Sequence, residues 1–186
     1  MRYIGDVHGK VDRYLPLTYG VDSIQVGDMG VGFRDIPTLS PTNRFIRGNH
    51  DNPEECRSHP NWIKDGTVED DTMFIGGAWS IDQAYRIEGV SWWRDEELSI
   101  ADFDHMINVA LISRPRVMIT HDCPKSVVVP LFRREPIKTR TQQALDVILT
   151  ACKPELWIFG HWHEDQDMVI DGTRFICLGE LSYVDL

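Results

Sequence analysis

Cysteine is sparse in this chain and never closely paired: Cys56, Cys123, Cys152 and Cys177 are scattered, and no CxxC occurs. That spacing argues against a zinc knuckle or a redox dithiol and predicts free thiols. No apolar run approaches the length of a membrane span, and no basic region followed by an apolar export segment opens the chain. The first motif already begins at Gly5, so loss of a leader would destroy it; a soluble, cytoplasmic protein is expected. Positive charge is the minority as well. Nineteen basic residues face 29 acidic ones, for a formal net charge of -10, which disfavours adhesion to anionic lipid or to long nucleic-acid backbones. Internal repeats, low-complexity tracts and an interdomain linker are all missing. The 186 residues, 42% of them hydrophobic, therefore read as one packed domain, 1–186.

What the chain does contain is a series of short apolar runs, each ending in glycine, aspartate or histidine. Tyr3-Ile4, Ile24-Val26, Phe45-Ile46, Val117-Ile119 and Leu156-Phe159 are rich in branched and aromatic residues, as buried strands are. The pattern predicts an α/β fold with functional loops at the carboxyl ends of the strands. Helical spacing links Ile100, Phe103, Met106, Ile107, Ala110 and Leu111, with Ser99 as N-cap and Asp102 as first-turn acid. Residues Thr141 to Cys152 place Ala144, Leu145, Ile148, Leu149 and Cys152 on one face. Asp171-Gly172, between Met168-Val169-Ile170 and Arg174-Phe175-Ile176-Cys177, predicts a tight hairpin because that dipeptide readily takes positive φ.

The motifs at the ends of the apolar runs are Gly5-Asp6-Val7-His8-Gly9, Gly27-Asp28, Gly48-Asn49-His50-Asp51, Thr120-His121 and Gly160-His161-Trp162-His163. Five of the seven histidines lie in them. A single DxH or HxH recurs by accident, but the ordered set is far more specific. Taken together, GDVHG, GD, GNHD, TH and GHWH resemble the signature of the calcineurin-like metallophosphoesterases. The resemblance implies that family's fold, with central β-sheets flanked by helices and the site at strand carboxyl ends. It also implies two divalent metal ions, Mn²⁺ first and Fe, Zn²⁺ or Ni²⁺ as alternatives suited to carboxylate and imidazole ligands. By the same resemblance Asp6, His8 and His163 hold one ion, Asn49, His121 and His161 hold the other, and Asp28 bridges them. The implied reaction is hydrolysis of a phosphate ester by a water or hydroxide held between the ions.

His50 is the implied catalytic group beside the metals, donating to the phosphoryl group or protonating the leaving oxygen. Asp51, Asp35 or another acid is a candidate to orient its ring, and Asp51 is equally a candidate for a turn or capping role. Arg34 is a candidate phosphate clamp. Trp92, Trp93 and Arg94 are candidate substrate contacts, although adjacent tryptophans more often anchor a loop to the core. The cluster Lys125, Arg133, Arg134, Lys138 and Arg140 reads first as a solvated face. Protein serine/threonine phosphatases of this superfamily extend the second motif as GDxVDRG and carry GNHE, whereas here Asp28 is followed by Met29-Gly30-Val31-Gly32 and the third motif is GNHD. Small phosphodiesters, nucleotides or phosphomonoesters are therefore the expected substrates, with a phosphoprotein phosphatase or a non-catalytic metal-dependent binding module as alternatives. Long nucleic acid and membrane are not expected partners, and the oligomeric state is left open.

Overall fold

In the computed structural model, which describes residues 1–186, the apolar runs form strands in two sheets. In the first, β1 (Arg2–Ile4), β2 (Ser23–Gln25) and β3 (Asn43–Phe45) run parallel. The final strand, β10 (Tyr183–Asp185), pairs antiparallel with β1. The second sheet contains β4 (Val68–Glu69), β5 (Thr72–Ile75), β6 (Val117–Thr120), β7 (Leu156–Phe159), β8 (Gln166–Ile170) and β9 (Thr173–Cys177). Its order is β4-β5-β6-β7-β9-β8. The four central strands are parallel, and antiparallel partners occupy both edges.

Side-chain alternation shows why the central strands carry nearly continuous hydrophobic sequence. Phe74, Ile119, Ile158 and Ile176 point to one face, where they pack with Ile24, Val26 and Ile46 of the first sheet and its following loops. Their neighbours Met73, Ile75, Met118, Trp157, Phe159, Phe175 and Cys177 point the other way, into a layer shared with helices. Successive side chains leave opposite faces of a strand, so a strand buried on both faces must be apolar at every position. The Trp157 indole N–H is satisfied within this core by Thr120 Oγ1 at 2.7 Å.

The outer layer over the second sheet is built by α3 (Ile100–Ser113), α4 (Lys125–Phe132) and α5 (Arg140–Cys152). Ser99 caps α3 as expected, accepting from Asp102 N at 3.2 Å, and the Asp102 carboxylate accepts from Ser99 N in return. Thr139 caps α5, so this helix begins one residue before the predicted stretch. Helix α4 is the unexpected element. Its three consecutive valines and internal Pro130 oppose helix propensity, but Val127, Val128, Leu131 and Phe132 all find places in the core. On the other side, α1 (Val11–Tyr14) and α2 (Pro53–Ser58) contribute Tyr14 and Cys56 to a cluster with Ile4 and Phe45. The hairpin forms at Asp171-Gly172, both residues at positive φ. All four cysteines are free thiols, and no helix is long and apolar enough to cross a membrane.

Ile158 lies in the layer between the two sheets and is fully buried. Ile158→Ala is expected to cost about 2–5 kcal/mol of stability, the range for truncating a packed core aliphatic. Urea denaturation with an unchanged m-value measures it, and a cost below about 1 kcal/mol would mean that this layer is not tightly packed.

Candidate metal centre

Every motif loop leaves the carboxyl end of a parallel strand, and the two sheets present those ends to one another. Backbone hydrogen bonds tie the loops together: Val7 and His8 donate to the Asp28 carbonyl at 3.0 and 2.7 Å, and Gly160 donates to the His121 carbonyl at 3.1 Å. Asp6, His8, Asp28 and His163 place potential ligand atoms all within 4.8 Å of one another. His163 Nε2 is 3.1 Å from Asp6 Oδ2 and 3.0 Å from His8 Nε2. In a second group beside it, Asn49 Oδ1 is 3.0 Å from both His121 Nε2 and His161 Nδ1. Asp28 belongs to both groups. Its Oδ2 is 3.8 Å from His8 Nε2, and its Oδ1 is 3.4 Å from His121 Nε2.

These separations suit a metal. Ligands at right angles around an ion with bonds of about 2.1 Å lie roughly 3.0 Å apart. The donor chemistry agrees. If Nδ1 of His121 donates to the Val26 carbonyl, 2.9 Å away, then in the neutral ring the lone pair of Nε2 is directed at the oxygens of Asn49 and Asp28. Three acceptors without a hydrogen among them require a cation, either a proton or a metal ion.

The backbone is bent to achieve this convergence. His8, Asp28, His161 and His163 all have positive φ, between 49° and 68°, a region that disfavours side chains carrying a Cβ and collects at functional sites. Close approach accounts for two of the glycines. A Cβ on Gly48 would sit 2.0 Å from Asp28 Oδ1 and 2.3 Å from Asp28 N, and one on Gly27 would sit 2.2 Å from the His121 ring. Asp51 supplies a brace. It is fully buried and accepts from the backbone N–H groups of Met29, Gly30, Val31 and Gly48, binding the second motif loop to the third.

Charge follows from this geometry. Burial favours protonation of Asp28, but the adjacent His121, His50 and His8 outweigh it and hold the carboxyl well below its ordinary range. Burial likewise opposes a charge on His121, yet Asp28 draws its pKa up to about 10. His163 is raised chiefly by its hydrogen bond to Asp6, whereas His161 is lowered chiefly by burial. His50 falls to about 4. Burial is the largest cause, the charges of Arg86 and His8 add to it, and Asp28 opposes.

Arg34, Trp92, Trp93 and Arg94 are not among the four residues whose potential ligand atoms lie within 4.8 Å of one another. Arg34 lays its stem against Gly9. Trp93 meets Phe33 edge-on at 5.4 Å and Trp92 Nε1 is buried, an arrangement that fits the loop-anchoring reading. Arg94 pairs with Glu88 and lines a cavity of about 280 Å³ with Arg57, Lys64 and Arg140; none of the converging ligands lines it. Within the basic cluster, Arg134 pairs with Glu164 and Arg140 with Glu97. Asp51 is engaged by backbone donors, and the group on the His50 ring is Arg86.

Three residues at the site escaped the sequence reading. Asn49 Nδ2 donates to Ser80 Oγ at 3.0 Å, and Ser80 Oγ donates to Glu96 Oε2 at 2.7 Å. This relay fixes the Asn49 amide so that its oxygen faces the histidines. The third is Arg86. All three lie in the connection between β5 and α3, where no spacing marks them.

No protein-family profile matches the chain. A lariat debranching enzyme of Entamoeba histolytica is 30% identical over 86 residues, covering 41% of this chain and 24% of that enzyme. The chain thus spans about a quarter of the length of the curated relative it matches. The likeness is partial, and it is to an enzyme.

Gly48→Ala tests the close approach. Neither Asp28 atom in its path is the free end of a flexible chain, so the substitution is expected to displace the carboxylate and weaken divalent-ion binding by about 10- to 100-fold, as disturbing the support of a metal ligand does. Calorimetric titration of the folded variant measures the loss, and wild-type affinity would refute the packing argument.

Proposed function

We propose that this protein is a metal-dependent hydrolase of phosphate esters with a dinuclear centre. The observation that carries the reading is Asp28, a buried carboxylate whose two oxygens face two separate groups of nitrogen and oxygen donors. Asp6, His8 and His163 would hold one divalent ion, and Asn49, His121 and His161 the other, with Asp28 common to both. Such mixed carboxylate, amide and imidazole ligands suit Mn²⁺, with Fe, Zn²⁺ or Ni²⁺ as alternatives. Bound ions would supply acidification of the attacking water and neutralisation of charge at phosphorus.

The chain's own groups have distinct tasks. Asp28 positions both halves of the site and accepts from His50 N at 2.7 Å. The Glu96–Ser80–Asn49 relay orients an amide oxygen. His50, with its pKa near 4, is neutral at physiological pH and is suited to donating a hydrogen bond to a phosphoryl oxygen rather than to delivering a proton to the leaving group. The partial likeness to an enzyme favours catalysis over a binding module. Small phosphodiesters, nucleotides or phosphomonoesters are the proposed substrates: a net charge of -10 offers little attraction for a long polyanion, while paired ions can engage one phosphoryl group strongly.

The test begins with chelator-stripped protein reconstituted separately with Mn²⁺, Fe²⁺, Zn²⁺, Ni²⁺ and Mg²⁺, then assayed on matched mono- and diesters. Hydrolysis is expected with at least one of the first four ions. Asp28→Asn should lower it by more than the about 10- to 100-fold that loss of a ligand's supporting group costs. A folded Asp28→Asn protein that keeps two ions and near-native turnover would refute the bridging role, and inactivity across all ions and ester classes would favour the binding module.

A further inference from the structure

The His50 ring is held by Arg86, whose side chain is only 9% exposed despite its length. Almost every donor of that guanidinium has a partner. Nε and Nη2 donate to the two carboxylate oxygens of Asp82 at 2.7 and 2.8 Å, Nη1 donates to the Ser91 carbonyl at 3.2 Å, and Nη2 also contacts His50 Nε2. A guanidinium carries five N–H groups in a fixed plane and has no acceptor. With its fork fixed on Asp82 it is built to hold a neighbour in place, and little of it is left to clamp a substrate.

The direction of the contact follows from donor chemistry. Arg86 donates, so His50 Nε2 accepts, and the single hydrogen of the neutral ring is carried by Nδ1. Nothing in the protein pairs with Nδ1; the only other hydrogen bond of His50 runs from its backbone N–H to Asp28. A carboxylate against Nε2 would select the opposite tautomer.

We propose that Arg86, braced by Asp82, is a positioning residue that fixes the His50 ring and its tautomer, so that Nδ1–H is the donor presented to substrate. Its kinetic consequence rests on the phosphoesterase reading, whereas its tautomeric consequence does not. The Asp82–Arg86 pair also fastens the connection between β5 and α3 to the third motif loop, so that His50 joins Asn49 as a point where the two segments meet.

Two measurements test this. The first uses metal-free protein labelled with ¹⁵N at histidine. The His50 ring is expected to show the Nδ1–H pattern in the wild type and to gain Nε2–H character in Arg86→Ala, and a wild-type Nε2–H pattern overturns the proposal whether or not the protein hydrolyses anything. The second is a double-mutant cycle in metal-loaded protein on a small ester. Arg86→Ala should lower kcat about 10- to 100-fold, as removal of a group that orients a functional imidazole does, with metal content unchanged. Combined with His50→Ala it should add no further loss. Fully additive losses would overturn the positioning role and make Arg86 a direct substrate contact. If the wild type cleaves no ester, the phosphoesterase reading fails, and the tautomer measurement still decides the inference.

Discussion

A buried negative charge organises this molecule. Asp28 is 1% exposed, and an isolated carboxylate in such a place would be strongly disfavoured. It persists because His121, whose pKa the pairing raises to about 10, faces it from another segment and because the His50 backbone N–H donates to it. Much of the rest can be understood as the means of bringing those partners together. Parallel strands deliver the segments, motif glycines permit atoms to come closer than a Cβ would allow, and positive φ values turn His8, His161 and His163 inward. The cluster of potential metal ligands is thus defined by contacts across the chain, and no local stretch contains it.

Asp51 gives that arrangement its stiffness. Four backbone N–H groups from two loops converge on one buried side chain. Removing it would leave buried donors unpaired, each costing roughly 1–3 kcal/mol. The aspartate of GNHD therefore acts on the scaffold, while the histidine before it faces the site. Adjacent residues of one motif serve different layers of the structure.

The division between what the sequence revealed and what it concealed has a physical basis. Strands buried on both faces leave unbroken apolar runs, and tight exits from them select glycine, so the loops bearing Asp6, Asp28, Asn49, His121 and His161 were legible. The Ser99 cap and the Asp171-Gly172 turn were legible because each is a local backbone problem with few solutions. Helix α4 was not, since its valines gain their preference only from the sheet beneath them. Ser80, Arg86 and Glu96 were hidden for the same reason: a side-chain hydrogen bond to a distant motif is a relation between residues, and each of the three by itself looks like an ordinary loop serine, arginine or glutamate. Their neighbours Trp92, Trp93 and Arg94 drew attention by composition; Trp93 meets Phe33 edge-on and Arg94 lines another cavity.

The pairing of β1 with β10 has a consequence for the order of assembly. The two strands are joined across nearly the whole chain, with Arg2 in register with Asp185, and Asp6 meets His163 only when the two sheets are docked. The β8–β9 hairpin can close early because its ends are neighbours, whereas these contacts must await the loss of a large loop entropy. The meeting of Asp6 with His163 is therefore expected late in folding. A ligand held by groups from both sheets stabilises only the state in which the two are docked, so its binding energy adds to the equilibrium against their separation and not to openings elsewhere that leave the contact intact.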